Sequence, residues 1–415
     1  MNIEFSEHHL DNGLKIILHP DKSVPKVVVD VLYKVGAKDE APHRTGLAHL
    51  FEHLMFKDTL HIKEFDSRVQ KVGGEFNAFT TEDITNYHIS LPANQIETAF
   101  WLESDRMFAL DLSEDVVASE KSVVCEEFKQ SYLNQPYGDA DLLLRPLHFR
   151  THPYQWKTIG KELSHIEQAT LEEIQAFYHN FYVPENATLI VCGDIDVEKT
   201  LLLAEKWFGS IPNRKVKRNK ICQEPRQEEA RSLTVHRKVP YPAVYKAFHA
   251  PGFSHPDFVF ADMITDVLSG SKSAILYQKM VKETQVAASI NAYCQYLQDD
   301  GLIYISGRVA EGKTVEAYEE TLNRIIEELI QNPKSYDLQK FKNRKESEDM
   351  FGKTYLLTRA YTLALYDAIG KPELINTYID QYKEVGEASF QEALCEYLRP
   401  ENCSTLYYLP QANGN

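Results

Sequence analysis

The sequence predicts an α+β fold built as two similar domains. Short alternating runs broken by Asn, Asp and Gly read as strands, and longer stretches with apolar residues three and four apart read as helices. The order of these elements in the first half recurs in much of the second. With 415 residues, the chain has room for two or three domains at roughly 100–200 residues each. A hydrophobic share of 43% with 26% charged residues is that of a folded chain and excludes wholesale disorder.

The elements run in this order. Leu14–Leu18 and Val27–Val35 read as strands, with Asn12-Gly13 a hairpin turn before the first. Gly46 to Phe56 reads as a helix, since Leu47, Leu50, Phe51 and Leu54 share one face. Ile62–Val72 reads as a second helix, closed by Gly73-Gly74, and Glu75–Leu91 as a β-hairpin. Helical patterns cover 94–109, 114–132, 170–180 and 196–208, with a strand at Ala187–Cys192. Pro212 to Ala230 is polar, charged and weakly periodic, the composition of a linker, and its basic cluster Arg214–Lys220 reads as solvated. Beyond it come strands at 232–238 and 243–249, helices at 256–268 and 273–282, and a hairpin across Ala287–Val309 turning at Asp299-Asp300-Gly301. Helices at 314–330 and 336–350 and a strand at Cys403–Leu409 complete the series. The division is therefore an N-terminal domain at 1–213, a linker at 214–230 and a C-terminal domain at 231–415.

Charge excludes some partners. There are 45 Lys and Arg against 61 Asp and Glu, a net charge of −16, which disfavours nucleic acid and anionic membrane surfaces. The six cysteines stand far apart without a CxxC pair, so neither a disulfide scaffold nor a cysteine zinc knuckle is expected. The N-terminus lacks a basic region followed by an apolar stretch, and no apolar run is long enough to span a bilayer. The expected location is the cytoplasm.

The segment that carries chemistry is Gly46-Leu-Ala-His49-Leu-Phe-Glu52-His53-Leu-Met-Phe56. On a helix, positions i and i+4 lie one above the other, so His49 and His53 can share one zinc ion (Zn2+). Glu52, at the edge of that face, can take a proton from an activated water and hand it to a leaving amine. This is the H-x-x-E-H arrangement of zinc peptidases. A catalytic zinc normally takes three protein ligands, and the best source of a third is the acidic helix containing Glu120 and Glu127. These two glutamates lie two helical turns apart, so Glu127 can bind metal while Glu120 hydrogen-bonds a histidine ring N–H.

These residues resemble the pitrilysin-type zinc peptidases, or inverzincins, which include insulin-degrading enzyme and the mitochondrial processing peptidases. Beside His49-x-x-Glu52-His53, Phe56-Lys57-Asp58-Thr59 is similar to the family's "FKGT", and Gly73-Gly74-Glu75-Phe76-Asn77-Ala78-Phe79-Thr80 to its glycine–asparagine–alanine strand. Glu120 and Glu127 match its downstream glutamate pair; His152-Pro153-Tyr154, Ile159-Gly160 and Gly193-Asp194-Ile195-Asp196 are further landmarks. The resemblance implies zinc bound by His49, His53 and Glu127, Glu52 as general base and Glu120 as support. It implies two domains, each an antiparallel sheet with helices packed on it, and short chains that pair around a chamber. Unfolded peptide is implied to add as a strand near Asn77, Ala78, Phe79 and Thr80.

One departure matters. Active members of the family carry an Arg and, seven residues later, a Tyr that stabilise the developing oxyanion. In the matching stretch, Met280 to Ile290, Val281 and Ala288 take their places, and Tyr277, Lys282 and Tyr293 lie off register. The expectation is a zinc metalloendopeptidase subunit whose homologous partner supplies the Arg/Tyr pair. A self-sufficient homodimer and a non-catalytic scaffold are the alternatives.

Overall fold

The structure, a computed structural model, describes residues 1–332 and 337–411. Its first sheet contains Ser6–His9 (β1), Lys15–Pro20 (β2), Lys26–Tyr33 (β3), Glu75–Thr80 (β4), Thr85–Pro92 (β5) and Ala187–Gly193 (β6). Its second contains Arg231–Arg237 (β7), Ala243–Pro251 (β8), Ala287–Gln295 (β9), Asp300–Val309 (β10) and Cys403–Pro410 (β11). The strand orders are β1-β2-β6-β3-β5-β4 and β7-β11-β8-β10-β9. From β2 onward the two orders correspond position for position, β7 standing for β2, β11 for β6 and β9 for β4. The repeat inferred from element order is thus a repeat of topology.

Each sheet is antiparallel except at one pair: β2 runs parallel to β6, and β7 parallel to β11. The antiparallel sheets implied by the resemblance thus each carry one parallel pair. The last strand of each half arrives from a run of helices rather than a tight turn, and only such a long return can insert a strand parallel. The strand β3, with its run of Val and Leu, is buried on both faces, as expected for a central strand covered by helices on each side. The turn expected at Asp299–Gly301 falls earlier, because Asp300 and Gly301 are already paired with Pro251 and Ala250 in the ladder.

Among the helices that position the site or cover the sheets are Leu47–Leu54 (α1), Glu114–Phe128 (α2), Ala140–His148 (α3), Leu171–Phe181 (α4) and Leu356–Ala368 (α5). The helix expected at 336–350 is observed at Leu338–Gly352, and residue 336 lies outside the described residues. No expectation covered α3 or α5. All strands of the first sheet precede residue 213 and all strands of the second lie beyond residue 230, but the helices divide differently. One compact unit comprises 1–129, 156–220 and 348–378; the other comprises 130–155, 221–347 and 379–415.

Each half of the sequence lends a helix to the other half's sheet. Ala140 and Leu144 of α3 join a cluster with Ala243, Ala247, Leu406 and Tyr408 of the second sheet. On the first sheet, Asp367 of α5 is fully buried, accepts from Thr188 Oγ1 at 2.6 Å, and pairs with Lys15 at 2.5 Å and Lys34 at 3.1 Å. Arg359, earlier on the same helix, pairs with Asp21 at 2.7 Å. A sheet with one bare face exposes apolar strands to water, and these helices cover those faces.

Candidate active site

The helix α1 is held by its buried side. Leu47, Ala48, Leu50, Phe51 and Leu54 are buried, and the Phe51 ring stacks on Phe177 and Tyr178 of α4 at 5.4 and 6.0 Å. Tyr87 of β5 donates its hydroxyl to Phe51 O at 3.1 Å. At the start of the helix, Gly46 is left-handed with φ 95°, and a Cβ there would lie 2.9 Å from Ile159 O. Gly46 has no side chain to cap the helix, so Glu40 does it from a distance, accepting from the Gly46 and Ala48 amides at 2.8 Å each. Burial pushes the Glu40 carboxyl up to about 8 against the pull of those two amides.

The opposite side of α1 presents His49, Glu52 and His53, all half-buried. Across from it, α2 presents Glu127, half-buried, and Glu120, buried. Glu127 Oε2 lies 3.9 Å from His49 Nε2 and 3.5 Å from His53 Nε2. The imidazoles meet edge to face with centroids 4.9 Å apart. His53 Nδ1 faces Glu120 Oε2 at 3.8 Å, and Glu120 Oε1 pairs with Lys57 Nζ at 2.9 Å. The contact with Glu127 raises the basicity of His53 despite burial, and the same contact lowers the Glu127 carboxyl. Burial lowers His49, with Glu127 opposing.

Does this set suit zinc? One ligand atom from each of His49, His53 and Glu127 lies within 4.8 Å of the others, and no other such group occurs among the described residues. Around a tetrahedral ion with bonds of roughly 2.0–2.2 Å, ligand atoms stand about 3.3–3.6 Å apart. The separations of 3.5 and 3.9 Å need only small side-chain adjustments to reach that spacing. Two imidazole nitrogens and one carboxylate oxygen are a catalytic-type zinc donor set. The residues fit the metal.

Among the described residues, the strand β4 is an edge strand paired only with β5. Its side chains alternate: Phe76 packs against Phe56 and Phe65, whereas Phe79 meets Tyr361 of α5 on the other face. Asn77 Oδ1 accepts from the Ala78 amide at 2.9 Å. No strand among the described residues lies on the outer side of Asn77–Thr80, and Phe79 is turned toward α5. Val281 lies in a π-helical segment, Tyr277–Glu283, and Ala288 is exposed on the edge strand β9. Lys282 Nζ lies 5.7 Å from the Tyr277 ring centre, and the Tyr293 ring lies tilted against that of Tyr304 with centres 5.0 Å apart, so each has a local packing partner.

Sequence reasoning missed Glu40 and Tyr87, which fix α1, and gave Lys57 no task. For Glu40 the only signal is an acid a few residues before a helix whose capping position, Gly46, has no side chain to cap it.

A family model described as Insulinase (Peptidase family M16) matches residues 15–159, and one described as Peptidase M16 inactive domain matches residues 168–345. The chain is 33% identical over 327 residues to the zinc protease PqqE of Helicobacter pylori, spanning 77% of this chain and 73% of that protein. It is 24% identical over 366 residues to the uncharacterized zinc protease YmxG of Bacillus subtilis, spanning 88% and 87%. A crystal structure of a protease from Helicobacter pylori is similar with TM-score 0.94 and 28% identity, covering 99% of this chain and 100% of that one. Pitrilysin shares the fold, with TM-score 0.78 and 17% identity, covering 100% of this chain and 46% of the pitrilysin chain. No helix among the described residues is long and apolar enough to cross a membrane.

Proposed function

The chain belongs to the insulinase family, peptidase family M16, and from that membership we propose that it is the zinc-bearing subunit of a metalloendopeptidase that cleaves unfolded peptides. The convergence of His49, His53 and Glu127 on one point carries the reading. When bound there, zinc supplies a Lewis acid that lets water give up a proton near neutral pH. Glu52 takes that proton. As the water oxygen bonds to the peptide carbonyl carbon and the C–N bond breaks, Glu52 returns the proton to the departing nitrogen. Glu120 orients His53 through Nδ1. The free edge of β4 holds the peptide main chain by strand pairing, leaving Asn77, Ala78 and Thr80 beside it.

The need for a partner comes from Val281 and Ala288, whose side chains offer no hydrogen-bond donor to an oxyanion. A second, homologous chain bearing the Arg/Tyr pair supplies it. The contiguous division at 214–230 marks the boundary of the duplicated unit, on which the lent helices are superimposed. All six cysteines are free, which suits the reducing cytoplasm.

The test is to purify the chain alone, measure zinc per chain and assay an unstructured peptide. About one zinc per chain and turnover only after a homologous subunit is added are expected. Full turnover by the chain alone would favour the self-sufficient homodimer; no zinc would favour a scaffold.

A further inference from the structure

The segment Phe56 to Thr59 is among the motifs to which the proposed chemistry assigns nothing. Lys57 lies one helical turn beyond His53. The helix has ended at Leu54, but the Lys57 amide still bonds Leu54 O at 2.9 Å, so its side chain projects on the metal side. There its ammonium meets Glu120 Oε1 at 2.9 Å, while Glu120 Oε2 faces His53 Nδ1 at 3.8 Å. The Glu120 side chain is 5% exposed and that of Lys57 is 44% exposed. One end of the pair is therefore buried, and the other reaches it from the rim.

We infer that Lys57 is a positioning residue for the metal site: by holding one oxygen of Glu120 it turns the other onto His53 Nδ1, and so aims His53 Nε2 at the point shared with His49 and Glu127. The inference rests on the proposed zinc role of those three residues. Its physical basis is twofold. A buried carboxylate without a counter-charge is costly, and Lys57 is the cation paired with Glu120 in this structure. The last torsion of Glu is broad, so an untethered Glu120 would divide its time between orientations of which only some serve His53. Lys57 and His53 both lean on one carboxylate from the same end of α1, which makes their geometries interdependent. Lys57 itself touches no ligand atom.

The experiment measures zinc affinity of the full chain by competition with a chromogenic chelator. The variants are Lys57→Met, Lys57→Gln, Lys57→Arg, Glu120→Gln and the double variant Lys57→Met/Glu120→Gln, with thermal melting by circular dichroism as the check on folding. Removing Lys57 should weaken zinc binding on the order of tenfold, the lower end of what losing an outer support of a metal ligand costs. Lys57→Arg should restore affinity to within about threefold, and Lys57→Met should cost nothing further once Glu120 is Gln. Unchanged affinity in both Lys57→Met and Lys57→Gln, or an equal loss in the Glu120→Gln background, would overturn the assignment. A wild-type chain that binds zinc but cleaves no peptide with any partner would count against the enzymatic reading while leaving Lys57 in its role. A wild-type chain that binds no zinc would overturn both.

Discussion

Replacing Gly46 by alanine puts a methyl group where the chain turns into α1, and its cost can be worked out from the geometry. The backbone there is left-handed, φ 95° and ψ 4°, which costs a residue with a Cβ about 1–2 kcal/mol. The new Cβ would lie 2.6 Å from Ile166 Cδ1 and 2.9 Å from Ile159 O. The isoleucine methyl can rotate away but the carbonyl belongs to the backbone, and such overpacking costs about 1–3 kcal/mol. The total is about 2–5 kcal/mol. Gly312 is the internal control: its φ is 75° and nothing lies within 4 Å of an added Cβ, so Gly312→Ala should lose only the conformational part, about 1–2 kcal/mol. Urea unfolding of both variants reads the difference. Because His49 lies within the first turn after Gly46, Gly46→Ala should also weaken zinc binding by tenfold or more, equivalent to about 1.4 kcal/mol of misplacement, while Gly312→Ala leaves it unchanged. Equal midpoints for the two variants would refute the packing argument. A destabilised Gly46→Ala that binds zinc like wild type would refute the coupling between the helix start and the site.

Other expectations rest on single side chains. Glu52→Gln should keep zinc and lose peptide cleavage by at least about a hundredfold, as expected for a lost general base; retained cleavage would remove Glu52 from the mechanism. Asp30, buried in β3 and bonded to Asn86 Nδ2 at 2.9 Å, is pushed by burial from 3.8 to about 8. The folded chain thus keeps a proton that the unfolded chain releases, so stability should fall as pH rises from about 4 to about 8, by up to on the order of 5 kcal/mol. Asp30→Asn should flatten that slope in urea titrations, and an unaltered slope would contradict the assignment. Burial opposes ionisation of Asp367, but Lys34, Lys15 and Thr188 together hold its carboxyl below the ordinary value, so its contribution should be present near neutrality and lost in acid. Asp367→Asn should cost about 2–3 kcal/mol, less than a wholly buried pair because both lysines keep some water; a loss under about 0.5 kcal/mol would show that α5 is held by apolar contact alone.

Local pattern made the strands and the metal helix legible. His49 and His53 sit at i and i+4 beside an apolar stripe, and Glu120 and Glu127 sit two turns apart, so each pair declares its own face. What local pattern cannot express is which distant surface an element will cover. The helix α3 contains Pro146, and α5 interrupts its apolar face with Arg359 and Asp367, charges that make sense only beside Asp21, Lys15 and Lys34 on a sheet far away in sequence. The parallel insertion of β6 beside β2 is likewise set by where the chain returns, not by the residues of either strand. Glu40 is hidden for a similar reason: its task is to cap a helix whose own capping position is a glycine. Lys57 stood in view within a recognised motif, but its role needed the position of Glu120.

X-ray absorption spectroscopy of the zinc-loaded chain tests the metal assignment most directly. The spectrum should show a light-atom shell of two imidazole nitrogens near about 2.0–2.1 Å and a carboxylate oxygen at roughly 2.0–2.2 Å, with the carboxylate oxygen lost in Glu127→Ala. A sulfur scatterer at about 2.3 Å, or a spectrum unchanged by replacing His49, His53 or Glu127, would contradict it.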